Sequence, residues 1–90
     1  MSEITIINVF DALKQETYTF NQYFMSADKA ATSAAGLASY YAQQNQYNFV
    51  GFDQEEGGYV VKTQSGELAR IISLQTLFSF EKDLEADRIV

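Results

Sequence analysis

Carboxylates are the side chains of this sequence that could take part in acid–base catalysis or metal binding, and seven of the twelve occur in two clusters. The clusters are Asp53, Glu55 and Glu56, and Glu81, Asp83, Glu85 and Asp87. General acid–base catalysis needs two carboxyl groups in different environments, one of them in an apolar pocket that raises its pKa. Nothing in the sequence around either cluster predicts such a pocket. A solvated turn and a solvated tail are therefore the simpler interpretation.

Calcium binding is a second chemistry that the first cluster could support, since its three carboxylates lie close to Gly57. An EF-hand loop beginning at Asp53 needs an oxygen ligand at its fifth position and a Glu at its twelfth. Those positions hold Gly57 and Gln64, so the match fails. The sequence has no His and no Cys, which removes zinc–imidazole and thiolate sites. We expect neither a bound metal nor a cofactor.

The chain lacks His and Cys, the residues that most often support nucleophilic catalysis. Ser and Thr are plentiful, but without His or Cys only a Lys or a carboxylate could activate a hydroxyl group. The pair Gly57-Gly58 has no GxxxxGK[ST] or GxGxxG context, and no GxSxG occurs. These absences predict that the protein is not an enzyme.

The charge of the chain argues against direct nucleic-acid binding. Twelve acidic residues against six basic ones give a formal net charge of −6 and a pI near 4.3. Phosphate neutralisation needs clustered Lys and Arg, whereas the basic residues here are scattered. Six Tyr and seven Phe could stack on bases, but their spacing is more simply that of a core. We expect a protein partner instead.

Length and composition predict one domain. The chain has 90 residues, of which 47% are hydrophobic and 20% charged, as in globular proteins. Its apolar runs, such as Ile6-Ile7 and Leu77-Phe78, are far shorter than a membrane span, and we expect no signal peptide. We expect a single compact domain over residues 1–90, cytoplasmic and away from membranes, with a mobile acidic end over residues 81–90.

The N-terminal part of the chain predicts two strands. Ile4–Phe10 is rich in β-branched and aromatic residues, which favours a strand, although its apolar spacing also leaves a helix open. Thr17–Phe24 alternates more clearly, with Tyr18, Phe20 and Phe24 on one face. Residues 14–16 between the two would be a hairpin loop or the end of a short helical turn.

Residues 27–44 predict the main helix, with Ser26 as its N-cap. Apolar and mostly small residues recur on one side of this segment at helical spacing. They are Ala27, Ala30, Ala31, Ala34, Leu37, Ala38 and Tyr41. Small side chains let a helix lie close to a sheet whose aromatic residues fill the gap. Thr17–Phe24 and Tyr47–Phe52 could supply those aromatic residues.

The C-terminal half predicts a three-stranded meander of Tyr47–Phe52, Tyr59–Thr63 and Glu67–Ile72. Turns at residues 53–58 and 64–66 contain glycines suited to positive φ. Ser73 could cap a last helix over Leu74–Ala86, while Thr76–Phe80 could equally extend as a strand. The predicted order is ββαβββ(α), an α+β fold with one main helix packed on an antiparallel sheet.

Tyrosines are the most informative surface feature that the sequence predicts. Tyr40 and Tyr41 are adjacent on the helix, so if Tyr41 is in the buried stripe, Tyr40 lies at its border or outside it. Tyr23 falls on the strand face opposite Tyr18. Exposed Tyr is enriched at protein interfaces. Tyr23, Tyr40 and both acidic clusters are therefore partner-binding candidates. The alternative is that these surfaces are only partly covered and that the acids confer solubility.

Together these features predict a small, acidic, non-enzymatic protein-binding module. A charge of this size steers a protein toward a basic partner, including one with a nucleic-acid-binding surface. The alternative is a structural or assembly protein, a small homo-oligomer that associates through the Ala-rich helix or through edge strands such as Ile4–Phe10.

The chain resembles the small phage-encoded inhibitor proteins of the anti-CRISPR type. The resemblance covers the whole chain and lies in its size, its acidity, its single-domain α+β pattern and its lack of catalytic motifs. The two acidic clusters carry the acidic part of the resemblance. What it implies is a stoichiometric inhibitor of a host defence complex.

Overall fold

In the computed structural model, which describes residues 2–79, one helix packs on one face of a five-stranded antiparallel sheet. The elements are β1 Ser2–Asp11, β2 Glu16–Phe24, α1 Ala27–Asn45, β3 Asn48–Asp53, β4 Gly58–Lys62 and β5 Leu68–Ser79. The order of strands across the sheet is β2-β1-β5-β4-β3. The predicted α+β class and the ββαβββ order of these elements are confirmed.

β1 is an internal strand of the sheet. It pairs with β2 on one side and with β5 on the other. The prediction of a strand at Ile4–Phe10 is therefore confirmed, but the prediction that it forms a free edge is wrong. The physical reason is the length of β5, which pairs along β1 from Ser2 to Asp11 and gives it a second neighbour. The edges of the sheet are β2 and β3.

Of the two alternatives left open for the last segment, the strand predicted at Thr76–Phe80 is confirmed as far as residue 79, since β5 continues to Ser79. The helix over Leu74–Ala86 is wrong for residues 74–79. The register places Leu74 opposite Ile7 and Leu77 opposite Ile4. Leu74 and Leu77 fit a helical spacing in sequence, but pairing with β1 gives the backbone a ladder of partners and packs Leu74 against the core. The remainder of that helix and the acidic end 81–90 lie outside the described residues.

Capping interactions fix both ends of α1, and the one at Ser26 confirms the predicted N-cap. The Ser26 hydroxyl accepts a hydrogen bond from the N–H of Lys29 at 3.3 Å. At the other end Gln46 adopts a left-handed conformation with φ 57°, and its N–H donates to the carbonyls of Ala42 and Gln43. The helix therefore ends within one residue of its predicted boundary.

Alanines at every fourth position form the face of α1 that meets the sheet. Ala30, Ala34 and Ala38 are fully buried and Ala42 nearly so. The predicted apolar stripe is thus confirmed at its centre. Ala42 is buried although the prediction did not include it, whereas Ala27, which was predicted to be buried, is exposed in the first turn. The sheet supplies the larger buried side chains, which are Ile7, Val9, Val61 and Ile72.

Polar contacts connect α1 to three strands on the same side of the sheet. The Tyr41 hydroxyl lies 2.8 Å from the Tyr18 hydroxyl of β2, and the Arg70 guanidinium of β5 lies 4.1 Å from the centre of the Tyr41 ring. Arg70 also pairs with Asp11 of β1 at 3.7 Å. Burial, and then the hydrogen bond with Tyr18, raises the pKa of Tyr41 from 10.0 to about 12.

Replacing Ala34 with Phe should overpack the contact between helix and sheet. We expect the free energy of unfolding to fall by about 1–3 kcal/mol, measured by urea denaturation. Ala27→Phe is the matched control, because the same side chain added at an exposed position of the same helix has room. Equal stability of the two variants would contradict the burial of the alanine face.

Stability should fall at alkaline pH because the folded state holds the proton of Tyr41 more tightly than the unfolded chain does. The stabilisation is complete below the unfolded pKa of 10.0 and is lost as pH rises toward the folded value of about 12. Urea denaturation across this range should show a smaller loss for Tyr41→Phe than for the wild type. Tyr23→Phe, which changes an exposed ring, serves as control and should behave like the wild type.

Candidate protein-binding surface

The first acidic cluster forms the turn of the β3–β4 hairpin. The Asp53 carboxylate accepts hydrogen bonds from the N–H groups of Glu55 at 2.8 Å and Glu56 at 3.3 Å. The Asp53 carbonyl accepts from the N–H of Gly57 at 2.8 Å, and Gly57 has a φ of 78° that suits glycine. Asp53 therefore shapes the turn, while the side chains of Glu55 and Glu56 remain exposed to solvent.

Exposed aromatic rings lie on the strand that leads into this turn. Phe49 is 41% exposed and Phe52 is 59% exposed. Their ring centroids lie 6.4 Å and 5.4 Å from that of Tyr59 on β4, which packs against the core. One side of each ring is thus supported by Tyr59, and much of the remaining ring surface faces water.

A bulge in β3 brings these two rings to the same face of the sheet. The register is regular up to Phe49, which is opposite Val61, then shifts so that Phe52 is opposite Tyr59. Without the extra residue, positions 49 and 52 would fall on opposite faces, because side chains alternate along a strand. Gly51, with a φ of 114°, lies in the bulge.

The exposure of Phe49 and Phe52 was not predicted by the sequence. The aromatic residues of Tyr47–Phe52 were expected to fill the space between helix and sheet, and only Tyr47 packs against the core. A glycine inside an aromatic strand is the available signal, because it often marks a bulge. The signal gives the place of the bulge but not its effect on which side chains share a face.

We define the hairpin patch as Phe49, Val50, Phe52, Glu55 and Glu56. Val50, in the bulge, is 54% exposed. Within residues 2–79 the one ion pair joins Asp11 and Arg70, so neither glutamate of the patch is neutralised by a described cation. The patch therefore combines solvent-exposed apolar surface with two negative charges on a hairpin held by its own hydrogen bonds.

The other predicted partner-binding residues lie elsewhere. Tyr40 is 55% exposed on α1, and Tyr23 is 63% exposed on β2, on the sides of their elements that the sequence predicts. β2 and β3 are opposite edges of the sheet, so four strand spacings, roughly 19 Å, separate Tyr23 from the hairpin patch. The second acidic cluster, Glu81, Asp83, Glu85 and Asp87, lies outside the described residues.

No known protein similar to this chain indicates what these surfaces bind. No protein-family model, curated protein or solved structure matches the chain. Over residues 2–79, no group of three or more acidic side chains is placed to hold a metal ion. Within that same part of the chain, no helix has the length and apolar character needed to cross a membrane. What the chain can bind therefore follows from its own surfaces.

Asp53→Ala should lower the free energy of unfolding by about 1 kcal/mol, because two backbone N–H groups lose their acceptor. Asp53→Asn keeps an acceptor oxygen and should restore most of that loss. The double variant Glu55→Gln, Glu56→Gln should stay within about 0.5 kcal/mol of the wild type, since both side chains are exposed. Urea denaturation measures all three, and wild-type stability of Asp53→Ala would contradict its role in the turn.

Proposed function

We propose that this chain is a non-enzymatic protein-binding module that docks through the hairpin patch. The observation that supports this most directly is the exposure of Phe52, 59%, beside the free carboxylates of Glu55 and Glu56. Aromatic side chains are enriched at the centres of protein interfaces, where they bury a large area with few rotatable bonds. The ring serves as the anchor, and the hairpin holds it in place.

The charge of the patch selects the kind of partner. Glu55 and Glu56 lie at the rim of the apolar surface, where charges influence the rate of association more than the final affinity. The net charge of −6 acts in the same direction over longer distances. The partner that fits is a protein with an apolar pocket bordered by Lys or Arg.

The proposed form of this binding is stoichiometric inhibition. A basic surface that normally binds nucleic acid is a suitable target, because carboxylates can occupy the positions that phosphates would take. The resemblance to small phage-encoded inhibitors of the anti-CRISPR type points to a host defence complex as the target. Such a complex would place the module in the cytoplasm.

The partner can be identified by affinity capture from the native host followed by mass spectrometry. Its binding kinetics should then be measured by surface plasmon resonance with purified components. Phe52→Ser should speed dissociation, because it removes the anchor. Glu55→Gln with Glu56→Gln should slow association, and the difference from the wild type should shrink as salt rises.

Tyr40→Ser is the matched control, since it removes an exposed ring of similar size from the helix. The proposal predicts wild-type kinetics for Tyr40→Ser and a changed dissociation rate for Phe52→Ser, with both variants folded by circular dichroism. Val50→Ser provides a second test of the patch that leaves the contact between Phe52 and Tyr59 intact. Loss of binding in Tyr40→Ser alone would place the binding site on the helix and overturn the proposal.

A further inference from the structure

The face of the sheet opposite α1 is covered by no described element over β2, β1 and β5, and we name this three-stranded part the open face. Side chains alternate along each strand, so the neighbours of the core residues Ile7, Val9 and Ile72 point to this side. The apolar members of the open face are Ile4, Ile6, Phe10, Ile71 and Leu77, together with Tyr23 of β2, which is 63% exposed. The register sets Phe10 opposite Ile71, Ile4 opposite Leu77 and Tyr23 opposite Ile6, which makes one continuous apolar surface. Val60 of β4 points to the same side of the sheet but is 1% exposed and lies among Asp53, Glu56 and Lys62, so it is not part of this surface.

β1 and β5 contribute no charge to the open face. Their polar residues there include a hydrogen-bonded ladder that crosses three strands. The Thr19 hydroxyl donates to the Asn8 side-chain oxygen at 3.0 Å, and the Asn8 amide donates to the Gln75 side-chain oxygen at 2.9 Å. Because this ladder has partners within one copy of the chain, it can be removed from water at a lower cost than unpaired polar groups.

The size of the open face bears on whether it can form an interface. At about 4.8 Å between strands and about 3.3 Å per residue, β2, β1 and β5 present roughly 480 Å² in projection. The accessible area of a surface with side chains is larger than its projection. Stable interfaces bury roughly 800 Å² on each partner, while most crystal contacts bury less than half of that. The open face is therefore larger than the surface that most crystal contacts bury on each partner.

Charge favours a second copy of this chain as the occupant. A basic partner would find no carboxylate to pair with on the open face, since Glu3, Asp11 and Glu16 fall on the helix side of the register. The charged residues on this side of the sheet, Asp53, Glu56 and Lys62, lie around Val60 at the β3–β4 end, beyond the open face. Two copies can therefore bring their uncharged strands together while these charges stay at the margin of the contact. The interface would then be apolar at its centre on both sides.

We propose that two copies of the chain pack open face against open face. The product is a sandwich of two sheets about 10 Å apart, with the helices on the outside. Phe49 and Phe52 lie on the helix side, opposite Val61 and Tyr59, so the aromatic anchor of the hairpin patch stays accessible in the dimer. Glu56 lies beside Val60 at the β3–β4 end of the sheet, outside the three strands that form the contact. The failure of either proposal therefore leaves the other standing.

Sedimentation equilibrium on the full chain tests the dimer directly. The wild type should sediment at twice the chain mass of 10.1 kDa and dissociate on dilution. Gln75→Glu places a charge in the contact of both copies, while its carboxylate still accepts the hydrogen bond from Asn8 within each copy. We expect the dimer dissociation constant to rise roughly 100-fold or more. Gln43→Glu, the same change on an exposed part of α1, should leave it unchanged.

A wild-type monomer at all concentrations would overturn the proposal. So would a dimer that Gln75→Glu does not weaken, since its interface would have to lie elsewhere, such as at the edge strand β2. Circular dichroism checks that Gln75→Glu folds. If it does not, Leu77→Ser removes apolar area from the same face, and an unchanged dissociation constant in that variant would equally overturn the proposal.

Discussion

The close contact between the alanine face of α1 and the sheet is the interaction on which the rest of the structure depends. Ala30, Ala34, Ala38 and Ala42 have almost no side-chain bulk, so the core between the two layers is filled from the sheet side. One helix lies over the central strands and completes a small core at this chain length. It also leaves the second face of the sheet uncovered, together with the outer part of the β3–β4 hairpin.

The two uncovered surfaces differ in chemistry, and this difference leads to different partners. The hairpin patch joins exposed rings to the charges of Glu55 and Glu56, which suits a basic protein. The open face on β2, β1 and β5 carries no charge on β1 and β5 and has its own hydrogen-bonded ladder through Asn8. These properties suit a second copy of the chain. A dimer formed through the open face would display two hairpin patches, and two linked patches bind a repeated or extended target more tightly than one.

Local sequence patterns predicted the helix and the strands more reliably than they predicted which strands pair with each other. The run Ile4–Phe10 specifies a strand, but no local feature shows that β5 will pair with it and make it internal. Leu74 and Leu77 fit both helix and strand spacing, and only the partner strand decides between them. The acidic turn of the candidate site was predicted from residues 53–58. The exposed rings were not, because the face on which Phe52 lies depends on a bulge that shifts the register by one residue.

Isotope-filtered nuclear Overhauser spectroscopy on a mixture of labelled and unlabelled chains would show which face of the sheet meets another molecule. If the helix covers one face and a second copy covers the other, contacts between copies should come from the methyl groups of Ile6 and Ile71. The methyl groups of Ile7 and Ile72, buried beneath α1, should show contacts only within one copy. Contacts between copies through α1, or none from Ile6 and Ile71, would contradict this arrangement.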